Sequence, residues 1–209
     1  LIMVSFMALG KQAKVLSEIQ VRTTLQFLST TRNSKRDTVI FLLSVKSGLR
    51  AKEIASVTWA MVTDPEGGIG DSIQLQDIAS KGNGGRTIPL NKELKAALAE
   101  LKFIAETKKM EKGFPFDLAT NVISSERGER MSANSIAHWF KRLYENLGFD
   151  GCSSHSGRRT AITRWAKNTS RVGGSLRDVQ ELSGHSSLAT TQRYIQSDSE
   201  AKRKLVDMG

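Results

Sequence analysis

Apolar residues recur along most of this chain three and four positions apart, the spacing that lines one face of an α-helix. Ser17-Glu18-Ile19-Gln20, after Leu16, reads as a capping box, and the helix it opens carries Val21, Leu25 and Leu28 on one face. Residues 37–47 hold Val39, Ile40, Phe41, Leu42, Leu43 and Val45, apolar nearly all round, as in a helix that runs through a core. Gly48 is a stop signal, and the next helix, about 50–57, begins at Arg50. The pattern changes between Trp59 and Leu90. Gly67, Gly68 and Gly70 mark turns, Ile73 and Leu75 alternate with polar residues, and 86–90 carries β-formers. This predicts a small antiparallel three-stranded sheet, with Lys81-Gly82-Asn83-Gly84-Gly85 as a hairpin loop.

Helical spacing then resumes. Leu94, Leu98, Leu101 and Ile104/Ala105 follow Asn91 as a cap, and Gly113 to Pro115 breaks the chain. Ser132 caps a helix that points Ile136, Phe140, Leu143 and Leu147 inward, with Gly148 closing it. Residues 155–167 predict a further helix, 168–175 a polar glycine-bearing loop, and 176–182 and 188–195 two short helices around Gly184-His185. Asp198 is placed to cap a last helix with Ala201, Leu205 and Met208 on one stripe. The fold class expected is mostly α (α+β): one helical domain with the small sheet on one edge.

The chain has 209 residues, room for one sizeable core, and a formal net charge of +10. That excess points to a polyanion, with nucleic acid first, because neutralising phosphates releases counterions. Cys152 is the only cysteine, which excludes an intramolecular disulfide and suits a reducing cytoplasm. No run approaches the ~18 apolar residues of a membrane span. Residues 1–10 are apolar but short and lack the basic start of a signal peptide. The first residue is Leu1; Met7 is a candidate natural start, and a fragment is one expectation.

Cleaving a phosphodiester without a metal needs an in-line nucleophile, cations on the non-bridging oxygens, an acid for the leaving oxygen and a group to handle the nucleophile's proton. Arginine suits the phosphate because its planar fork makes paired hydrogen bonds and keeps its charge. Imidazole fits proton transfer near neutrality. Arg50, Arg158, Lys81, His155, His185 and Tyr194 supply this set. Three histidines and one cysteine without paired-ligand spacing make a poor metal site, and the Gly82–Gly85 turn lacks the ending of a Walker loop.

Four blocks occur in order: Ser47-Gly48-Leu49-Arg50-Ala51-Lys52-Glu53-Ile54, Ser80-Lys81 through Leu90, His155-Ser156-Gly157-Arg158, and Ser183-Gly184-His185 through Tyr194. Together they resemble the phage-integrase, or tyrosine recombinase, family over residues 16–196, the extent of that family's catalytic domain. The nine-residue step from His185 to Tyr194 matches as well. Residues 1–15 are then an extension or linker remnant, and 197–209 a tail helix expected to dock on a neighbouring subunit.

The resemblance implies that Tyr194 forms a 3′-phosphotyrosyl link and frees a 5′-hydroxyl. It implies that Arg50 and Arg158 hold the phosphate, Lys81 protonates the leaving oxygen, His155 assists proton transfer and His185 hydrogen-bonds the phosphate. The implied partners are double-stranded DNA and further copies of the chain, as a tetramer on DNA, with no cofactor, membrane or small-molecule substrate. Glu53 is expected to brace the fold. The family usually places leucine, arginine and histidine where Gly157, Arg158 and Arg159 stand here. Gly157 is therefore expected to leave a gap in the core, and Arg159 to contact DNA or shift the phosphate clamp. A separate helical clamp domain is not encoded ahead of residue 16, as in a fragment or in the compact recombinases that lack one. A non-catalytic DNA-binding module and a type IB topoisomerase-like enzyme stand as alternatives.

Overall fold

The computed structural model of the chain describes residues 13–76, 85–127, 130–194 and 206–207. Helix α1 (Glu18–Ser29) starts as the sequence predicts. Ser17 Oγ accepts the Gln20 N–H at 3.2 Å, and Gln20 Oε1 accepts the Ser17 N–H at 3.0 Å. Helix α2 (Ser34–Val45) is buried from Val39 to Val45 and packs against α1, α4 and α6, so it is the axis of the core. It ends at Gly48, whose φ of 64° admits the 3.1 Å bond from the Leu49 N–H back to the Leu43 carbonyl. Helix α3 (Ala51–Ser56) follows at once and packs on α5.

The sheet departs from expectation. Strands β1 (Ser72–Leu75) and β2 (Arg86–Pro89) pair antiparallel, Ile73 facing Ile88 and Leu75 facing Arg86, with Ile73, Leu75 and Ile88 turned into the core. Among the described residues these two strands are the sheet. The segment ahead of them contributes only one bridge, Thr63 with Ile69. Its residues are spent on a tight turn instead: Asp64 Oδ1 accepts the Gly68 N–H at 2.7 Å, and Gly67 sits at φ 85°. Most of the expected hairpin loop, including Lys81, lies outside the described residues.

Helix α4 (Lys92–Glu111) is capped by Asn91, and α5 (Ala133–Asn146) by Ser132, as predicted. Helix α6 (Ser156–Asn168) crosses α2 at Gly157, where the expected gap is absent. A Cβ on Gly157 would stand 2.4 Å from Ser44 Oγ and 2.9 Å from Ser44 Cβ. The two helices have closed on each other, so the missing side chain is a condition of the packing rather than a defect in it. The polar stretch that follows is not plain loop: Thr169–Val172 forms a 3-10 turn closed by Gly173. Helices α7 (Leu176–Ser183) and α8 (Leu188–Gln192) flank Gly184-His185. Of the tail, only Val206 and Asp207 are described, so the expected cap at Asp198 and stripe at Ala201, Leu205 and Met208 lie outside. Among the described residues no helix is long and apolar enough to cross a membrane.

Candidate active site

Glu53, on α3, organises the arginines. Its carboxylate is 1% exposed and accepts from Arg50 Nη1 at 3.0 Å, from the Arg50 backbone N–H at 2.7 Å and from Arg86 Nη1 at 2.9 Å, with Arg158 Nη1 at 4.0 Å. Burial pushes the Glu53 carboxyl up, but the hydrogen bond and charge of Arg86, and then those of Arg50, outweigh it and hold the group below its ordinary value. Glu53, expected to brace the fold, ties three arginines together and stays ionised. Three guanidinium groups share this one carboxylate, so among the described residues the cluster keeps two positive charges uncompensated.

Two helix ends take part of the load. Arg158 donates from Nη1 to the Gly48 carbonyl at 2.6 Å, just past α2, and from Nη2 to the Ser183 carbonyl at 2.8 Å, at the end of α7. Arg86 Nε donates to the Leu182 carbonyl at 3.1 Å. Carbonyls at helix C-termini carry partial negative charge, which suits a cation. Burial, then repulsion from Arg50, still pushes Arg158 down to about 10, while Glu53 and Tyr194 oppose that. It remains a cation at neutral pH. Gly184, at φ 61°, turns the chain between α7 and α8 and leaves room for Arg86, since a Cβ there would stand 2.7 Å from Arg86 Nη1.

The turn at Gly184 brings His185 onto Tyr194. Their ring centres are 5.3 Å apart at an interplanar angle of 25°. His185 Nδ1 meets Thr191 Oγ1 at 2.9 Å, which fixes the ring and leaves Nε2 as its second polar atom. Burial, then the charges of Arg158, Arg50 and Arg86, pushes His185 down to about 4, so the imidazole is neutral at pH 7. His155 is the exposed N-cap of α6, its backbone N–H on Ser153 Oγ at 3.3 Å. His155, Arg158 and Tyr194 line one cleft of about 340 Å³ with Ser153, Arg159 and Arg193, and among the described residues no carboxylate enters its wall.

Five of the six residues singled out in the sequence are thus described, and they converge. Arg50 and Arg158 meet at Glu53, His185 stacks on Tyr194, and His155 faces the cleft that Arg158 and Tyr194 share. Lys81 is outside the described residues. Sequence reasoning missed Arg86, whose buried guanidinium is the main partner of Glu53, and gave Arg159 no place beside the phenol. Arg86 stands five positions after Lys81 in the same block, a signal that was present but carried no role.

The sequence profile of the phage integrase family matches residues 14–201. The chain belongs to the phage integrase family. Among curated integrase-family relatives, tyrosine recombinase XerC of Thermodesulfovibrio yellowstonii is 29% identical over 165 residues, which is 78% of this chain and 51% of that protein. Tyrosine recombinase XerC of Bradyrhizobium diazoefficiens is 31% identical over 166 residues, 79% of this chain and 47% of that protein. The chain spans about half the length of the curated relatives it matches. Solved integrase-family structures share the fold. The crystal structure of XerA recombinase superposes with a TM-score of 0.70 at 22% identity, covering 93% of this chain and 64% of that one. A lambda integrase dimer bound to a COC′ core site gives 0.62 at 18% identity, covering 90% and 60%.

Proposed function

We propose that this chain is the catalytic domain of a site-specific DNA recombinase that cuts and rejoins DNA through a covalent 3′-phosphotyrosyl intermediate at Tyr194. The observation that supports this reading is the cleft itself: it is lined by Arg158, His155 and Tyr194 and, among the described residues, by no carboxylate, and it lies beside a cluster of three guanidinium groups on one carboxylate. An anion is the ligand that such a set of cations suits, and a phenol beside it is an oxygen nucleophile.

In the proposed reaction Arg50 and Arg158 hold the non-bridging oxygens of the scissile phosphate. His185, neutral at pH 7, donates from Nε2 to the same group. The Tyr194 oxygen attacks phosphorus, the bond to the 5′-oxygen breaks, and the phenolic proton passes toward His155. Lys81 gives the departing oxygen its proton, a role that rests on its place in the sequence. A 5′-hydroxyl from a partner strand then attacks the phosphotyrosine, the phosphorus–tyrosine bond breaks, and the phenol is restored. Bond energy is kept in the phosphotyrosine, so the chain of steps balances without ATP or a metal. Double-stranded DNA is the substrate, exchange between two duplexes calls for several copies of the chain, a tetramer on DNA, and the cytoplasm is the expected compartment.

The test is adduct formation. Duplexes retained by the protein from a randomised pool are nicked to trap the cleaved state and incubated in EDTA. Wild type is expected to form an adduct that peptide mapping places on Tyr194, and Tyr194→Phe to form none. An adduct that persists in Tyr194→Phe, or none from wild type on a bound duplex, overturns the reading.

A further inference from the structure

Arg158 and Arg159 are neighbours on α6 and are used in opposite ways. Arg158 is 3% exposed and spends its guanidinium on two main-chain carbonyls. Arg159 is half-buried, turns to the cleft, and holds its Cζ 5.6 Å from the centre of the Tyr194 ring. Among the described residues no carboxylate forms an ion pair with Arg159, although Arg158 and Arg193 line the same cleft. A guanidinium set among like charges gains from the negative face of an aromatic ring, and this ring is the partner it has found.

The ring needs such a partner. It follows a helix of only five residues, and its backbone N–H bonds the Thr191 carbonyl at 3.0 Å. Helices that short have little stability of their own, so side-chain contacts decide where the phenol sits. Among the described residues two aromatic or cationic partners meet it: the His185 stack and the Arg159 guanidinium. His185 is held by Thr191 on α8 and by its backbone bond to the Gln180 carbonyl on α7, whereas Arg159 is rooted in α6, which packs on the core helix α2. Arg159 is thus a direct tie between the nucleophile's ring and the rigid body that carries Arg158.

We propose that Arg159 is a positioning residue for Tyr194: its guanidinium packs on the ring and registers the phenol against the arginine clamp, without gripping phosphate itself. This rests on the reading of Tyr194 as the nucleophile, and it replaces the expectation that Arg159 contacts DNA. Misplacing a reacting group raises the barrier while leaving substrate affinity alone.

The experiment compares wild type, Arg159→Met, which keeps the stem but not the charge, and Arg159→Lys, which keeps the charge. Single-turnover adduct formation is measured at saturating nicked duplex, with duplex Kd as a function of salt. Arg159→Met is expected to slow the rate roughly tenfold, the scale of one cation–π contact. Its Kd and salt slope are expected to stay at wild-type values, with Arg159→Lys recovering part of the rate. Hydrogen exchange of residues 188–194 in the free protein is expected to speed up in Arg159→Met. A weaker Kd with a salt slope reduced by about one, at an unchanged saturated rate, makes Arg159 a phosphate contact and overturns the proposal. Unchanged rate and exchange overturn it too. Should wild type form no adduct, the nucleophile reading fails, and the exchange comparison alone still decides whether Arg159 holds the ring.

Discussion

Around Glu53, three guanidinium groups are fixed by a buried carboxylate and by carbonyls at two helix ends. Around Tyr194 the groups meet through ring faces and a single hydroxyl. The first region draws its parts from α3, β2, α6 and the ends of α2 and α7, so moving any one disturbs several others. The second hangs on a five-residue helix. Under the proposed function, pre-organised charge and the attacking phenol are kept in separate pieces, which suits a nucleophile that must move onto a phosphate and later release it.

Removing the hub is expected to do the most damage. Glu53→Ala leaves buried arginines unpaired, and loss of one partner from a buried ionic cluster costs about 3–5 kcal/mol. Urea unfolding followed by tryptophan fluorescence measures this. If Glu53→Ala is no less stable than Arg159→Met, the two regions are not held differently and the comparison breaks. Next is Gly157→Ala, on the helix that carries Arg158. Overpacking costs about 1–3 kcal/mol, against about 1 kcal/mol that alanine gains over glycine within a helix. A fall in thermal midpoint that Ser44→Ala partly restores is the expected result, since Ser44 Oγ is the nearest obstacle and has no hydrogen-bond partner to lose.

The smallest effect sharpens the cleft side. His185 is pushed down to about 4, below its ordinary 6.5. Between those values the unfolded chain binds a proton that the folded chain refuses, so stability is full above pH 6.5 and falls as pH drops toward 4. Thermal midpoints measured across that window should fall less steeply in His185→Gln. A variant with the same slope as wild type would mean that the imidazole is not shielded as its burial implies.

Much of this was legible in the sequence because it is local. The Ser17 capping box, the Asn91 and Ser132 caps and the all-round apolar face of α2 depend on residues within one or two turns. The candidate site residues come from the order of four blocks, and five of them, Arg50, His155, Arg158, His185 and Tyr194, lie near one another in the fold. What stayed hidden depends on distant pairs. Arg86 and Glu53 are 33 positions apart, and nothing local to either announces the other. Gly157 looked like a hole because a missing side chain reads the same whether its neighbour stays away or moves in. Only the approach of Ser44 decides between them. The third strand is not found among the described residues; Asp64 to Gly68 forms the turn that its glycines announce, flanked by a single bridge between Thr63 and Ile69.

The acceptors that orient Arg158 are main-chain oxygens, of Gly48 and Ser183. Main-chain oxygens belong to every residue type, so no point mutation deletes them; only a shift of the helix ends can. A lineage could therefore rewrite most of the side chains around this guanidinium and keep its aim, provided α2 and α7 stop where they do. The aim of Arg158 is set by a pair of endpoints rather than by a list of neighbours.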